Sequence, residues 1–527
     1  MNYPEFYSAL FRVTLPETAL ELAALLVLIV DLGFLRKAAL KVRVTVAALL
    51  GVAGCGAALW TLQLQAQGGL SFNGTGEILL ASGGSAQVAQ SGILILTALT
   101  LLLLIDSVFT KHVGEYVAVV LMAATGGLLI AAAQDLLVIF IGLELLSLGL
   151  YILTAFAKSS AKSAEAAMKY YLFGGMAAAF LLFGFSYLYG ITGSTNLNQI
   201  FAALAVSENV SHPLLIVAVV LIFAGLGFKV AAVPFHLWAP DTYEGAPAPA
   251  AAFIASVSKV ASFALLLSIG FASSHIFIPQ LAGAAWSAQL NAGIGAGSGF
   301  GISWDVIVFV AALLSMVVGN LAALAQVSVR RLLAYSAIAH AGYLLLGIPT
   351  NNYEVALRLS FTSSGRATGA VLFYVLTYGL TTIGAFGVVA VVERATGSDR
   401  LDSFLGLHKR NPVLAAVLLV LFLSLAGIPP LAGFWAKFNL FAAVLGVSAG
   451  PVPFILVALA VAFSAVSLYY YLQVLKRAYV MPAIDETPIK AHPVTLTVLV
   501  LIAATVVLLG CFPALLQGWI EGLCPIS

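Results

Sequence analysis

Charge is what this 527-residue sequence has least of: Asp, Glu, Lys and Arg make up 8% of it, against 62% apolar residues. A soluble domain carries about 25% charged residues, so a soluble fold is excluded. The net charge of +2 is too small to attract nucleic acid. Cysteine is nearly missing as well. Cys55, Cys511 and Cys524 lie far apart, show no ligand spacing and read as packing residues. There is no glycine-rich dinucleotide fingerprint, no phosphate loop and no cluster with metal-ligand spacing. Cofactor chemistry is therefore expected in other chains, with neither a cofactor site nor a metal site in this one. The N-terminus MNYPEFYSALFRVTLPET lacks a basic stretch and a small-residue cleavage site. The first apolar segment accordingly reads as a retained membrane span.

Long apolar runs fill the chain. A spanning helix needs roughly 20 apolar residues, which places fourteen spans near 16–35, 44–65, 88–109, 114–133, 135–156, 167–190, 213–235, 247–272, 304–326, 331–348, 369–393, 412–445, 452–476 and 492–515. Basic residues test this count. Of 23 Lys and Arg, three (Lys229, Lys259, Lys437) lie inside spans and three (Arg12, Arg358, Arg366) fall on the side of the even loops and both termini. All the others fall in odd loops. The positive-inside rule then puts the odd loops in the cytoplasm and both termini outside. The even loops are rich in Gly, Ser and Asn and are expected to be short irregular covers.

The three intramembrane lysines carry the functional reading. A buried ammonium costs several kcal/mol unless paired, hydrated or neutralised, so such a residue in a span marks a functional site. Lys229 precedes AAVPFHLWAPDTYEGAPAP, and Lys437 follows AGIPPLAGFWA. Spans seven and twelve are thus broken by Pro and Gly, five spans apart. Spans five and ten also align loosely, LELLSLGLYIL against AYSAIAHAGYLLL. Because five is odd, two such units are related by inversion across the membrane, and paired broken helices point to a transporter's ion site. The expected fold is an all-α integral membrane protein with two inverted five-helix repeats and broken helices 7 and 12. It forms one polytopic domain: three helices to about 112, repeats at 113–272 and 300–480, and a last helix at 490–527.

A lysine relays protons only if its charged and neutral forms lie close in energy; burial opposes the charge and a carboxylate partner favours it. Glu144, mid-span in DLLVIFIGLELLSLGLYIL, is the natural partner of Lys229, as a switching pair or as a static one that orients two helices. Lys259 stands about twelve residues into its span, roughly 18 Å of helix, too deep to snorkel. Ser256 and Ser258 flank it and are candidates to hold water. His340, in LLAYSAIAHAGYLLLG, either bridges Lys259 and Lys437 or is a hydrogen-bonded packing residue. His236, in VPFHLWAPD, is a proton-uptake group or a structural histidine at the cytoplasmic mouth. Asp31, Asp106 and Asp135 are placed at interfaces, and Glu17 and Glu21 near the outer leaflet. Asp241 and Glu244 are read as shaping their loop.

RRLLAYSAIAHAGYLLLG, KVAAVPFHLWAPDTYEGAPAPAAAFIASVSKVASF and LSLAGIPPLAGFWAKF resemble the antiporter-like membrane subunits of respiratory complex I, a group shared with multi-subunit cation/proton antiporters. HLWAPDTYEGAPAP followed by SVSK is similar to the bacterial N-type (chain 2) subunits; M- and L-type chains usually read HxWLPDA there. M-type chains usually carry glutamate at the place of Lys437, and L-type chains add a long lateral helix. The likeness runs from about Leu15 through span fourteen. It implies a proton-translocating subunit of an NADH:quinone oxidoreductase, with Glu144 and Lys229 as the charged pair of a first half-channel. Lys259 would be the connecting lysine, His340 part of the polar axis, and Lys437 the terminal lysine of a second half-channel. It implies partner subunits that bind NADH, FMN, iron–sulfur clusters and quinone, and a bacterial inner-membrane location. The alternative is a subunit of a Na⁺/H⁺ antiporter or of a hydrogenase-type complex. Two departures stand out: Thr382 where asparagine is common, and a long stretch PTNNYEVALRLSFTSSGRATG between spans ten and eleven.

Overall fold

Without water in the hydrocarbon layer, each backbone group must find its partner within the protein, and helices do this segment by segment. The computed structural model describes residues 10–68, 72–74, 77–81, 83–107, 109–206, 212–277, 304–356, 366–447, 451–483 and 485–524. Helices α1 (Leu15–Ile29), α2 (Leu40–Gly68) and α3 (Gly84–Leu104) form an N-terminal unit. Next come α4 (Val113–Ala132), α5 (Leu136–Thr154), α6 (Ala161–Thr192), the short α7 (Leu197–Val206), α8 (His212–Val230), α9 (Trp238–Gly245) and α10 (Ala248–Phe277). The second series is α11 (Trp304–Leu324), α12 (Val329–Ala356), α13 (Arg366–Thr396), the single turn α14 (Leu407–Arg410), α15 (Pro412–Ala426), α16 (Ala432–Val447) and α17 (Pro451–Tyr479). The last two are α18 (Pro493–Cys511) and α19 (Ala514–Leu523).

Twelve of the described helices are long and apolar enough to cross a bilayer. The other two sequence-predicted spans are present in pieces. The first is α1 extended by a π-helical turn, Val30–Phe34, and the twelfth is α15 plus α16. The seventh span is broken too, between α8 and α9.

Loop contacts sort the ends of the helices into two faces. Arg43 holds Asp31 at 2.7 Å, and Asp31 accepts from Gly114 N at 3.0 Å, joining the first and third loops. Arg394 pairs with Asp106, whose carboxylate also accepts from His492 N at 3.2 Å. On the opposite face, Ala81 N donates to Ala132 O at 2.8 Å and Leu136 N to Thr195 O at 2.9 Å. Asp135 caps α5 there, accepting from Leu137 N at 2.8 Å and from the Thr195 hydroxyl at 2.6 Å. Odd loops therefore meet odd loops and even loops meet even ones, as the alternation of spans requires.

The even loops are more ordered than their composition suggested. The loop before α3 contains an antiparallel hairpin, Phe72–Gly74 with Glu77–Leu80. The loop after α6 contains α7, because Leu197, Ile200, Phe201 and Leu204 recur at helical spacing and are buried. Asn196 starts this helix by accepting from Asn198 N at 3.1 Å. The uncharged stretch before α11 and much of the long one after α12 lie outside the described residues.

Burial identifies the centre. The most apolar stretches of α10 and α12 are each 94% buried and that of α13 83%, whereas those of α6, α17 and α18 reach only 33%, 22% and 33%. The outer helices turn apolar side chains such as Leu172, Phe183, Phe454 and Leu501 outward, as contact with lipid tails or a neighbouring subunit demands. Lys259 and His340 thus stand on the two helices furthest from any surface.

Candidate functional site

Helix α8 stops at Val230 because Ala231 turns left-handed (φ 58°), a conformation that costs an L-residue roughly 1–2 kcal/mol. The backbone groups released by the break find partners. Ala232 N bonds Gly227 O at 2.8 Å, Val233 N bonds the Ser315 hydroxyl at 2.9 Å, and Trp238 Nε1 bonds Phe228 O at 2.9 Å. Lys229 is held next to this break, 7% exposed. Its ammonium donates to the Ser147 hydroxyl of α5 and lies 5.9 Å from the ring centres of both Tyr151 and Phe228. Glu144, half-buried, stands one turn before Ser147 on α5. No ion pair joins it to Lys229 within 4.0 Å; the serine takes the ammonium. His236 lies half-buried in the turn between α8 and α9, with Nδ1 buried and without a hydrogen-bond partner.

Lys259 lies in α10, 2% exposed, and donates to Ala337 O, a carbonyl of α12. Its Nζ is 5.4 Å from the ring centre of Tyr378 on α13. Ser256 and Ser258 are buried one turn or less before it. The Ser256 hydroxyl turns back to Ala252 O of its own helix at 2.7 Å rather than to the lysine.

His340 is buried on α12 with both ring nitrogens occupied. Nδ1 is 2.9 Å from the Tyr374 hydroxyl and Nε2 3.5 Å from that of Tyr471, which is bonded in turn to Ser336. The imidazole ring lies 4.8 Å from Tyr378 and 5.8 Å from Tyr343, centre to centre. Tyr343 lies 5.4 Å from Lys437 Nζ. A continuous sequence of contacts therefore runs Lys259, Tyr378, His340, Tyr343, Lys437. A cavity of about 10 Å³, close to the space of one water, opens beside His340 among Thr377, Thr381, Ser424 and Gly433.

Lys437 occupies the second break. Asn411 and Pro412 start α15, and Gly427 ends it at φ 88°, donating to Leu423 O at 3.1 Å and Ser424 O at 2.9 Å. The last carbonyls of a helix form the negative end of its dipole and lack intrahelical partners. Lys437 Nζ meets two of them, Leu425 O at 3.1 Å and Ala426 O at 2.9 Å, and adds the Ser464 hydroxyl at 2.8 Å. An ammonium has three N–H donors, and here all three are engaged. Gly427 is favoured by its φ, and a Cβ there would press on Lys437, 3.0 Å from its Cδ.

Lys259, His340 and Lys437 are thus brought together, while Lys229 with Ser147 forms a separate group; among the described residues no hydrogen bond, ion pair or ring contact joins the two. The tyrosines that link the second group, and Ser147 and Ser464, were not singled out in the sequence. A signal was available. Tyr374, Thr377, Tyr378 and Thr381 recur at i, i+3, i+4 and i+7, a polar stripe on one face of an apolar helix, as do Ser464, Ser467 and Tyr471 on α17. Thr382 bonds its own Tyr378 O at 2.7 Å.

The odd-loop face carries an ion network across the repeats. Asp241 of α9 pairs with Lys169 of α6 and Arg331 of α12, both at 2.7 Å, and Glu244 pairs with Arg331 at 3.0 Å and Lys162 at 3.4 Å. Burial works to raise the Asp241 carboxyl, but hydrogen bonds from Lys169 and Arg331 overcome it and hold the group below the usual carboxylate range. These residues do more than shape their own loop. Next to them a cavity of about 400 Å³ opens among Glu244, Pro247, Arg330, Glu393, Arg394 and Thr495. Among the described residues no group of three or more His, Cys, Asp or Glu could hold a metal ion.

The family described as "NADH:quinone oxidoreductase/Mrp antiporter, TM" matches twice, at residues 133–297 and 296–464. NADH-quinone oxidoreductase subunit N 2 of Acidobacterium capsulatum is 48% identical over 98% of this chain and 100% of its own length. A chain of respiratory complex I from Thermus thermophilus with bound aureothin superposes with a TM-score of 0.73 at 32% identity, covering 95% of this chain and 98% of that one. A chain of the membrane-bound sulfane sulfur reductase, an archaeal respiratory membrane complex, superposes with a TM-score of 0.77 over 99% of this chain and 98% of that one. At 22% identity it speaks for the fold alone.

Proposed function

Because the chain belongs to the family of NADH-quinone oxidoreductase subunit N, we propose that its buried lysines and histidine carry protons across the membrane for that complex. The observation that carries this is the contact sequence from Lys259 through Tyr378, His340 and Tyr343 to Lys437, inside the most deeply buried helices. Each ammonium has an acceptor on a different helix or half-helix, so it can exchange one neighbour for another without entering lipid. The small cavity beside His340 offers room for a water in the same line. Lys229 with Ser147, and Glu144 one turn away, forms the receiving half; a change in the Glu144–Lys229 separation alters how strongly the ammonium is held, since their attraction scales inversely with distance. His236 stands at the mouth of that half, while Ser256 is engaged by its own helix and Lys259 is held by Ala337 O.

Electron transfer from NADH to quinone is assigned to partner subunits, which bind NADH, FMN, iron–sulfur clusters and quinone; this chain contributes proton transport and no redox group. It works as a multi-pass subunit beside related antiporter-like subunits, in the bacterial inner membrane with both termini periplasmic, which the bias of Lys and Arg to odd loops supports. The double match supports two repeats, near 113–272 and 300–480, between an N-terminal three-helix unit and a C-terminal helix. A Na⁺/H⁺ antiporter or hydrogenase-type subunit would use the same axis, but the near-full-length 48% identity favours subunit N. The test is the purified complex in liposomes. Lys229→Ala is expected to lower proton pumping with NADH oxidation and assembly retained; undiminished pumping would refute the assignment.

A further inference from the structure

The N-terminal unit takes no part in the lysine–tyrosine line, yet it buries a carboxyl of its own. Glu17 stands in the first turn of α1 and is 5% exposed. Its Oε1 faces Gln90 Nε2 of α3 at 3.5 Å, and the same amide donates to Leu128 O of α4 at 3.2 Å. Its Oε2 is buried and has no hydrogen-bond partner among the described residues. Gln87 Nε2 and Ser91 Oγ are buried and unpartnered as well, on the α3 turn that also bears Gln90. Gln87 and Ser91 lie within one turn of Gln90, which reaches Glu17, and such unmet polar atoms are unusual because buried polar groups nearly always find a partner.

Among the described residues, none offers this carboxyl a counter-charge. On its own helix the nearest titratable group is the exposed Glu21, and the exposed Arg12 precedes the helix. Helix α3 has no charged residue, and α4 has only Glu115 and Tyr116, at the opposite end. In α2, Lys41 and Arg43 are also at the far end, Arg43 engaged with Asp31, and Cys55 is a buried thiol near the middle. Glu521 of α19, which packs on α3, is exposed. An unpaired buried carboxylate is expensive, and a bound proton removes the charge. A metal cation needs oxygen ligands, whereas the Gln87 amide presents a donor, so a proton with a hydrogen-bonded water suits the donor set better. The site also borders the central layer: Gly127 of α4 packs against Ile93 of α3 and Ala261 of α10, two residues beyond Lys259.

We propose that Glu17, with Gln87, Gln90 and Ser91, forms a proton-binding site at the even-loop end of the N-terminal helices, a station outside the lysine axis. Its service in translocation rests on the pumping reading, but the binding of a proton does not. The deciding experiment is therefore a pH-jump infrared difference spectrum of the assembled complex without NADH. A carboxylic-acid band is expected in the unmodified complex, lost in Glu17→Gln and shifted in Gln90→Leu, which removes its neighbour. Identical carboxyl bands in Glu17→Gln and the unmodified complex would overturn the site. Should Glu17→Gln fail to assemble, an unshifted spectrum in Gln90→Leu overturns it equally. A second arm measures protons pumped per NADH oxidised: a loss in Glu17→Gln is expected, and an unchanged ratio would remove the site from translocation.

Discussion

The two broken helices hold their lysines in different ways. Lys437 sits after its break and faces the spent end of the preceding half-helix, where Leu425 O, Ala426 O and Ser464 use every donor it has. Lys229 sits before its break, one residue from the end of α8, and reaches across to a single serine hydroxyl. One ammonium is fully solvated by protein; the other is held by one hydroxyl, with a carboxylate one turn away. The lesson is that a lysine beside a helix break can be anchored or poised, according to whether helix-end carbonyls point at it.

The largest effect expected from this contrast is on Lys437→Met. It removes a relay group and strands two buried carbonyls, each worth about 1–3 kcal/mol when left unsatisfied. Both pumping and the thermal stability of the complex should fall, measured on the same preparation. Lys229→Met should instead lower pumping with little change in melting temperature; equal destabilisation in both variants would erase the distinction. Gly427→Ala should come next. A non-glycine residue at φ 88° pressed against Lys437 costs about 1–2 kcal/mol, readable as a lower melting temperature, whereas Gly446→Ala, in a helix with nothing near its Cβ, should not lower it. Glu144→Gln should be milder than Lys229→Met, because no direct ion pair is broken and only the field at the ammonium changes.

The smallest effect concerns the ion network at the odd-loop face. Asp241 is held below the usual carboxylate range in the folded protein. Its contribution is thus fully present above the unfolded value near 3.9 and is lost as pH falls through the lower folded value. Partly exposed pairs are also weakened by salt. Protection of the α9 amides, taken relative to their intrinsic exchange rates at each pH, should therefore fall below about pH 4 and in high salt; protection indifferent to both would show that the network does not tie α6, α9 and α12 together.

Legibility in the sequence followed the physical cost of each residue. An ammonium in an apolar helix is too expensive to be accidental, so Lys229, Lys259 and Lys437 stood out, as did the Pro and Gly that break two spans. Spans one and twelve were recognisable by length although each is interrupted. Tyr343, Tyr374, Tyr378 and Tyr471 were harder to find, because a tyrosine fits a core, an interface or a network equally well. On α13, Tyr374 and Tyr378 share an i, i+3, i+4, i+7 stripe with Thr377 and Thr381, and attention to charge alone missed it. The sequence pairs Glu144 with Lys229; which residue makes the direct contact depends on the offset between neighbouring helices, which spacing alone does not give, and the hydroxyl of Ser147, one turn on, takes it. The helix α7 was obscured by the polar composition around it, although its apolar period was intact.

His340 is where the account is most exposed, since Tyr374, Tyr378, Tyr343 and Tyr471 all converge on it between the two lysines. The direct measurement is protons pumped per NADH oxidised by the purified complex carrying His340→Leu, reconstituted in liposomes. Proton translocation through this subunit is expected to drop on the order of 100-fold, the lower end of what a positioned proton-transfer group contributes, so that the ratio for the whole complex falls while uncoupled NADH oxidation continues. A ratio equal to that of the unmodified complex would mean that the line from Lys259 to Lys437 does not conduct.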